Sequence, residues 1–190
     1  EFISGAEGEM LLEIAKNQDF QFAEVDDLGS IRNDHSYMQK HIAAILALPL
    51  VDSKLIKEAN FKIVVDAVNS SGGIFVPALL KALGVSQITE MYCEPNGDFP
   101  HNPEPLPENL KDLSEAMISK KATIGITVDP DVDRLAFVCE DGSMFGEEYT
   151  LVAVADYVLR HTPGATVSNL SSTRALRDIT EEKGQVYAAA

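Results

Sequence analysis

Apolar residues recur along this chain with two periods, one helical and one extended. Glu7–Asn17 has helical spacing, with Met10, Leu11 and Ile14 on one face. Residues 18–31 are short and mixed, and predict a strand pair and a linker. Asp34 is placed to cap a helix running to about Leu48, with Met38, Ile42, Ile45 and Leu46 turned inward. Asp52 opens a further helical turn through Leu55 and Ile56. Phe61–Val68, F-K-I-V-V-D-A-V, is a β-branched run that predicts a buried strand. The turn Asn69–Gly73 leads into a helix that ends at Leu83 and is closed by Gly84. Gln87–Cys93 is the next strand. Strand, helix and strand in this order form a βαβ unit, and so a parallel sheet.

Residues 94–107, E-P-N-G-D-F-P-H-N-P-E-P-L-P, are too rich in proline and glycine for regular structure. Pro107 suits the first turn of a helix that reaches about Lys121. Two apolar runs follow, Ala122–Val128 and Leu135–Cys139, and predict strands on either side of a short polar loop. Glu140–Ser143 reads as a hairpin turn. Glu147–Arg160 is helical, with Leu151, Val154, Ala155 and Val158 apolar. A strand over Ala165–Leu170, a helix over Thr173–Lys183 and a new strand from Gln185 complete the pattern. The fold class expected is α/β. A mixed, mainly parallel sheet carries helices on both faces, and the start of a second similar domain follows.

The loop between the two apolar runs is where chemistry concentrates. Gly125–Arg134 reads G-I-T-V-D-P-D-V-D-R, with carboxylates at Asp129, Asp131 and Asp133. Three carboxylates within five residues repel unless they are solvated or a cation sits among them. Alternate spacing lets an extended loop aim all three the same way, and Pro130 pushes Asp129 toward extended geometry. Hard oxygen ligands suit magnesium or calcium and not zinc. An EF-hand is excluded, because Arg134 stands where its loop needs glycine and strands flank the site instead of helices. The glycine-rich turn Asn69–Gly73 is of a kind that can hold phosphate at a helix N-terminus, but it matches neither dinucleotide nor P-loop spacing and reads as a tight turn with a helix cap.

Charge narrows the partners. Lys and Arg number 15 against 30 Asp and Glu, a net charge of −15 that argues against nucleic acid and anionic membranes. Cys93 and Cys139 have no metal or redox spacing, and as free thiols they point to a reducing, cytoplasmic compartment. No run spans a membrane, and no signal peptide is visible. The four histidines, His35, His41, His101 and His161, lack ligand spacing and read as surface or loop residues. An opening at Glu1 without methionine and an apolar close at Tyr187–Ala190 suggest a fragment.

Two enzyme families share features of the acidic loop. Val128–Val132 resembles the D-x-D motif of haloacid dehalogenase-like phosphatases, in which the first aspartate is the nucleophile. Asp129–Arg134 resembles the D-G-D-x-D-R magnesium loop of the α-D-phosphohexomutases residue for residue apart from Pro130. Only the second family explains Arg134. The likeness continues elsewhere. Val64–Gly73 resembles that family's V-D-x-x-x-G-x-G turn, and Gly97–Pro103 with Pro107–Leu110 its G-x-F-P…P-E-N-L segment. Ser168–Leu176 resembles the start of its third domain. The resemblance implies a tail of domain one with a linker over 1–35, domain two over 36–142 and an incomplete domain three over 143–190.

That family moves a phosphoryl group between the 1- and 6-positions of a hexose phosphate, through a phosphoserine and a bisphosphate. The resemblance implies Mg²⁺ on Asp129, Asp131 and Asp133, with Arg134 adding positive charge near the phosphate or else pairing with the aspartates. The negative charge of the chain then implies either that local cations overcome its field or that the basic phosphate-binding groups lie outside it. The family's T-A-S-H-N-P phosphoserine loop is absent. His101-Asn102-Pro103 follows Pro100 and carries no serine. The sugar-selecting G-E-x-S-G-H and phosphate-binding R-x-S-G-T loops are absent as well, so the chain alone is expected to be inactive. Ser171 stands where some members carry a lysine, and with Ser172 is expected to cap a helix. A non-catalytic metal-binding module is the remaining alternative.

Overall fold

A computed structural model describes residues 2–190, and of residue 147 the backbone alone. It divides into two compact units at His35 and Ser36. In the first, α1 (Gly5–Asn17) begins at Ser4, whose hydroxyl accepts from the Glu7 amide while Glu7 accepts from the Ser4 amide. Met10, Leu11 and Ile14 form the expected stripe but are exposed. The strand pair expected over 18–31 is not formed: one 3-10 turn, Val25–Asp27, is the regular element there. Phe20 and Phe22 alternate as in a strand, yet among the described residues no second strand lies beside them to complete a ladder.

The second unit is the α/β body. Two short helices, α2 (Tyr37–Leu46) and α3 (Ser53–Glu58), precede β1 (Lys62–Asp66). Asp52 caps α3 by accepting from the Leu55 amide at 2.9 Å, and Ile42 is the buried residue of α2. Then come α4 (Gly72–Ala82), β2 (Gln87–Met91), α5 (Lys111–Lys120), β3 (Ile124–Val128) and β4 (Leu135–Val138). The sheet order is β2-β1-β3-β4. β1 runs parallel to both neighbours and β4 returns antiparallel to β3, so the sheet is mixed and mainly parallel as expected.

β1 is central because its side chains are apolar on both faces. Val64 packs with Leu110, Leu113, Met117 and Val138 under α5, while Ile63 and Val65 pack with Leu80 and Val85 under α4. Period-two alternation between two buried faces gives the continuous hydrophobic run seen in the sequence.

The helix expected from Pro107 starts later. Pro107–Asn109 forms a 3-10 turn and α5 begins at Lys111. Beyond β4 come α6 (Glu147–His161), β5 (Thr166–Ser168), α7 (Arg174–Glu182) and β6 (Tyr187–Ala189), with β5 and β6 parallel. Of the apolar residues of α6, Leu151 and Val154 are exposed, Ala155 and Val158 are half-buried and Leu159 is buried, and the helix packs against β4 and α7. No helix among the described residues is long and apolar enough to cross a membrane.

Candidate metal centre

β3 ends at Val128 and delivers Asp129 to the C-terminal edge of the parallel strands. The three carboxylates converge there: one oxygen each of Asp129, Asp131 and Asp133 lies within 4.8 Å of the others. They do not converge by extended alternation. Along a strand, side chains two apart are roughly 6.6–6.8 Å from each other. Instead the Val132 amide donates to the Asp129 carbonyl at 3.2 Å, and Val132 takes a left-handed φ of 62°. A tight turn closes the spacing, and a β-branched residue in that region is strained.

Asp129 is buried, and its Oδ1 accepts from the Arg134 amide at 3.1 Å. Asp131 and Asp133 are exposed. The Asp133 carboxyl is pushed above the ordinary carboxylate range by its hydrogen bond with Asp129, then by the charges of Asp131 and Asp129, with Arg134 opposing. Mutual repulsion of this kind is what a bound cation relieves. All donors are carboxylate oxygens on a fixed turn, so the set fits a hard divalent ion.

Arg134 does not rest chiefly on the aspartates. Its Nη1 donates to Glu104 in a short ion pair, while its Nε lies 4.0 Å from Asp129 Oδ2. Arg134 and Glu104 together line a cleft of about 360 Å³ with Leu106 and Ala136. Glu104 comes from the proline-rich loop and gave no sequence signal beyond its charge.

The β1–α4 turn buttresses the acidic loop. Ser71 makes no cap bond; its hydroxyl donates to the Pro130 carbonyl at 3.3 Å. A Cβ on Gly72 would lie 2.5 Å from Val128 Cγ2, so only glycine lets the turn approach this closely. A Cβ on Gly73 would strike the Cys93 carbonyl. Ser171 and Ser172 are not caps either. Both hydroxyls donate to Asn169 Oδ1, at 3.0 and 2.8 Å, and Thr173 caps α7.

His101 is not an ordinary surface residue. Its Nε2 lies 3.0 Å from Oδ2 of the fully buried Asp66, whose Oδ1 accepts from the Val68 amide at 3.0 Å. Tyr92 meets the imidazole edge-on and donates its hydroxyl to Asp112 at 2.7 Å. Burial pushes the Asp66 carboxyl up, against the pull of the Val68 amide and His101. Burial likewise lifts the Cys93 thiol to about 11. Asn69, at a left-handed φ of 53°, reaches the same loop by donating to the Asp98 carbonyl at 2.9 Å. These contacts fix the proline-rich segment on the strand ends.

Comparison with known proteins matches residues 36–142 to the family described as phosphoglucomutase/phosphomannomutase, alpha/beta/alpha domain II. A probable phosphoglucosamine mutase of Methanopyrus kandleri is 30% identical over 180 residues, 94% of this chain and 38% of that protein. A phosphoglucomutase of Neisseria gonorrhoeae is 42% identical over 125 residues, 64% of this chain and 27% of its own length. A phosphoglucomutase/phosphomannomutase family protein from Burkholderia thailandensis superposes with a TM-score of 0.78 at 28% identity, over 98% of this chain and 39% of that one. The chain thus spans less than two-fifths of the length of these relatives.

Proposed function

The chain belongs to the phosphoglucomutase/phosphomannomutase family, and from that premise we propose that it supplies the metal-binding portion of a phosphohexomutase. Asp129, Asp131 and Asp133 would hold one Mg²⁺, and the observation that carries this reading is the convergence of their oxygens within 4.8 Å on a turn held between two strands. When bound, the ion offsets negative charge on a phosphoryl group during transfer between the phosphoserine and a hexose phosphate.

The work of this chain is positioning. The short hairpin loop keeps the carboxylates together against their repulsion. The Ser71–Pro130 bond and the close approach of Gly72 brace it from the β1–α4 turn. Arg134 places a guanidinium beside the cluster, with planar geometry suited to a phosphate. In this reading residues 1–35 are the tail of domain one with a linker, 36–142 are domain two and 143–190 begin domain three. Two free thiols, Cys93 and Cys139, accord with a cytoplasmic enzyme.

Phosphate trapping on the complete protein tests the reading. An acid-stable phosphoserine is expected, together with no mutase turnover by the 190-residue chain alone. An acyl-phosphate on Asp129 would instead establish a phosphatase with an aspartate nucleophile.

A further inference from the structure

Arg134 has two carboxylate neighbours with opposite consequences. Asp129 belongs to the acidic cluster, and its Oδ2 lies 4.0 Å from Arg134 Nε. Glu104 lies outside the cluster and takes Arg134 Nη1 in a short ion pair. A guanidinium tethered one residue from Asp133 is itself a cation for three mutually repelling carboxylates. Left free, it would fold onto them and take the place of a divalent ion. Some other group has to hold it away.

Glu104 is built for that task. Its amide donates to Asn102 Oδ1 at 3.2 Å, and its carbonyl accepts from Asn109 Nδ2 at 2.8 Å. Prolines flank it at 103 and 105. The segment is tied to β1 through His101 and Asp66, and to the β1–α4 turn through Asn69 and Asp98. A carboxylate on a fixed backbone holds a guanidinium at less cost in conformational entropy than one on a free loop.

We propose that Glu104 is a positioning residue that draws the Arg134 guanidinium off the aspartate cluster and so keeps the cluster open to a divalent cation. The proposal rests on the metal reading above. Glu104 acts through Arg134, not by contact with the ion.

A double-mutant cycle tests it, with Mn²⁺ binding to the 190-residue chain followed by the electron-spin signal of the free ion. The four proteins are the parent, Glu104→Gln, Arg134→Gln and the double variant. The Glu104→Gln substitution leaves both backbone bonds of that residue in place, so the loop itself is preserved. It is expected to weaken Mn²⁺ binding by about three- to tenfold, as couplings within one charge network do. In the Arg134→Gln background the same change is expected to have no effect. An equal loss in both backgrounds overturns the proposal, because Glu104 would then act only through its own charge. Unchanged binding in Glu104→Gln overturns it too. A parent chain that binds no Mn²⁺ overturns the metal reading and this proposal together, an outcome distinct from the other two.

Discussion

Asp66 closes β1, and Asp129 follows β3, the strand paired beside it. Both carboxylates are buried, at 0% and 6% exposure. Asp66 has a partner for each oxygen, the Val68 amide and the His101 imidazole. Asp129 has one amide, from Arg134; one of its oxygens lies within 4.8 Å of oxygens of Asp131 and Asp133, and a guanidinium is 4.0 Å from its Oδ2. The same residue type at nearly the same depth is a loop anchor in one strand and a candidate ligand in the next. Burial does not separate them. What separates them is whether each oxygen has a hydrogen-bond partner of its own.

Removing the anchor should have the largest effect. Asp66→Ala is expected to cost about 3 kcal/mol in urea unfolding, because it leaves the Val68 amide and the His101 imidazole without their partner. Mn²⁺ affinity should stay within about twofold if the anchor and the ligand are separate devices. A parallel loss of metal binding would collapse the distinction. Asp129→Asn should do the converse. Mn²⁺ binding is expected to fall at least tenfold, since even outer-shell changes at metal sites cost roughly 10–100-fold. Stability should shift by less than about 1 kcal/mol, because repulsion is relieved as a buried charge is lost.

A smaller effect is expected at Val132, the strained residue of the turn. Left-handed strain of about 1–3 kcal/mol is partly offset by the entropy of glycine, so Val132→Gly should raise stability by about 1 kcal/mol in urea. The smallest effect concerns pH. The folded Asp66 carboxyl titrates above its ordinary value of 3.8 because it is buried. Between 3.8 and the raised folded value the native state binds more protons than the unfolded chain, so stability falls as pH rises through that window. Urea midpoints measured from about pH 4 upward should show this decline in the parent and lose it in Asp66→Asn. An unaltered slope would assign the decline to another group.

The ligand half of the comparison was legible in the sequence, and the anchor half was not. Three acidic residues between two apolar runs announce themselves by local pattern, as do the β-branched strand at Phe61–Val68 and the helix that follows it. The βαβ unit and the fold class follow from periods that any short window contains. Asp66–His101 is 35 residues apart in sequence and Arg134–Glu104 is 30 apart, and neither pair leaves a periodic trace. Both cross from a strand end to the proline-rich loop, whose path is set by contacts and not by propensity. The turn at Val132 escaped for a related reason. Alternating charge looks the same whether the backbone is extended or folded back on itself, and β-branched residues ordinarily argue for extension. Residue type alone makes Ser171 and Ser172 caps, whereas both hydroxyls donate to Asn169 Oδ1.

The position of β1 between β2 and β3 bears on the order in which the molecule can assemble. β2 returns to β1 after one helix, but the contact between Lys62 and Thr123 closes over 61 residues. At ribosomal rates of about 5–20 residues per second, β1 waits several seconds for its second neighbour to be made. During that interval one edge of β1 has no strand to pair with, and Val64 lacks the Ala122 and Val138 that later cover it. The acidic loop follows β3 directly, and it cannot take shape until β3 has docked. A nascent chain therefore carries an open, apolar edge before the three carboxylates of the candidate site are brought together, and the docking of β3 both covers that edge and sets the loop.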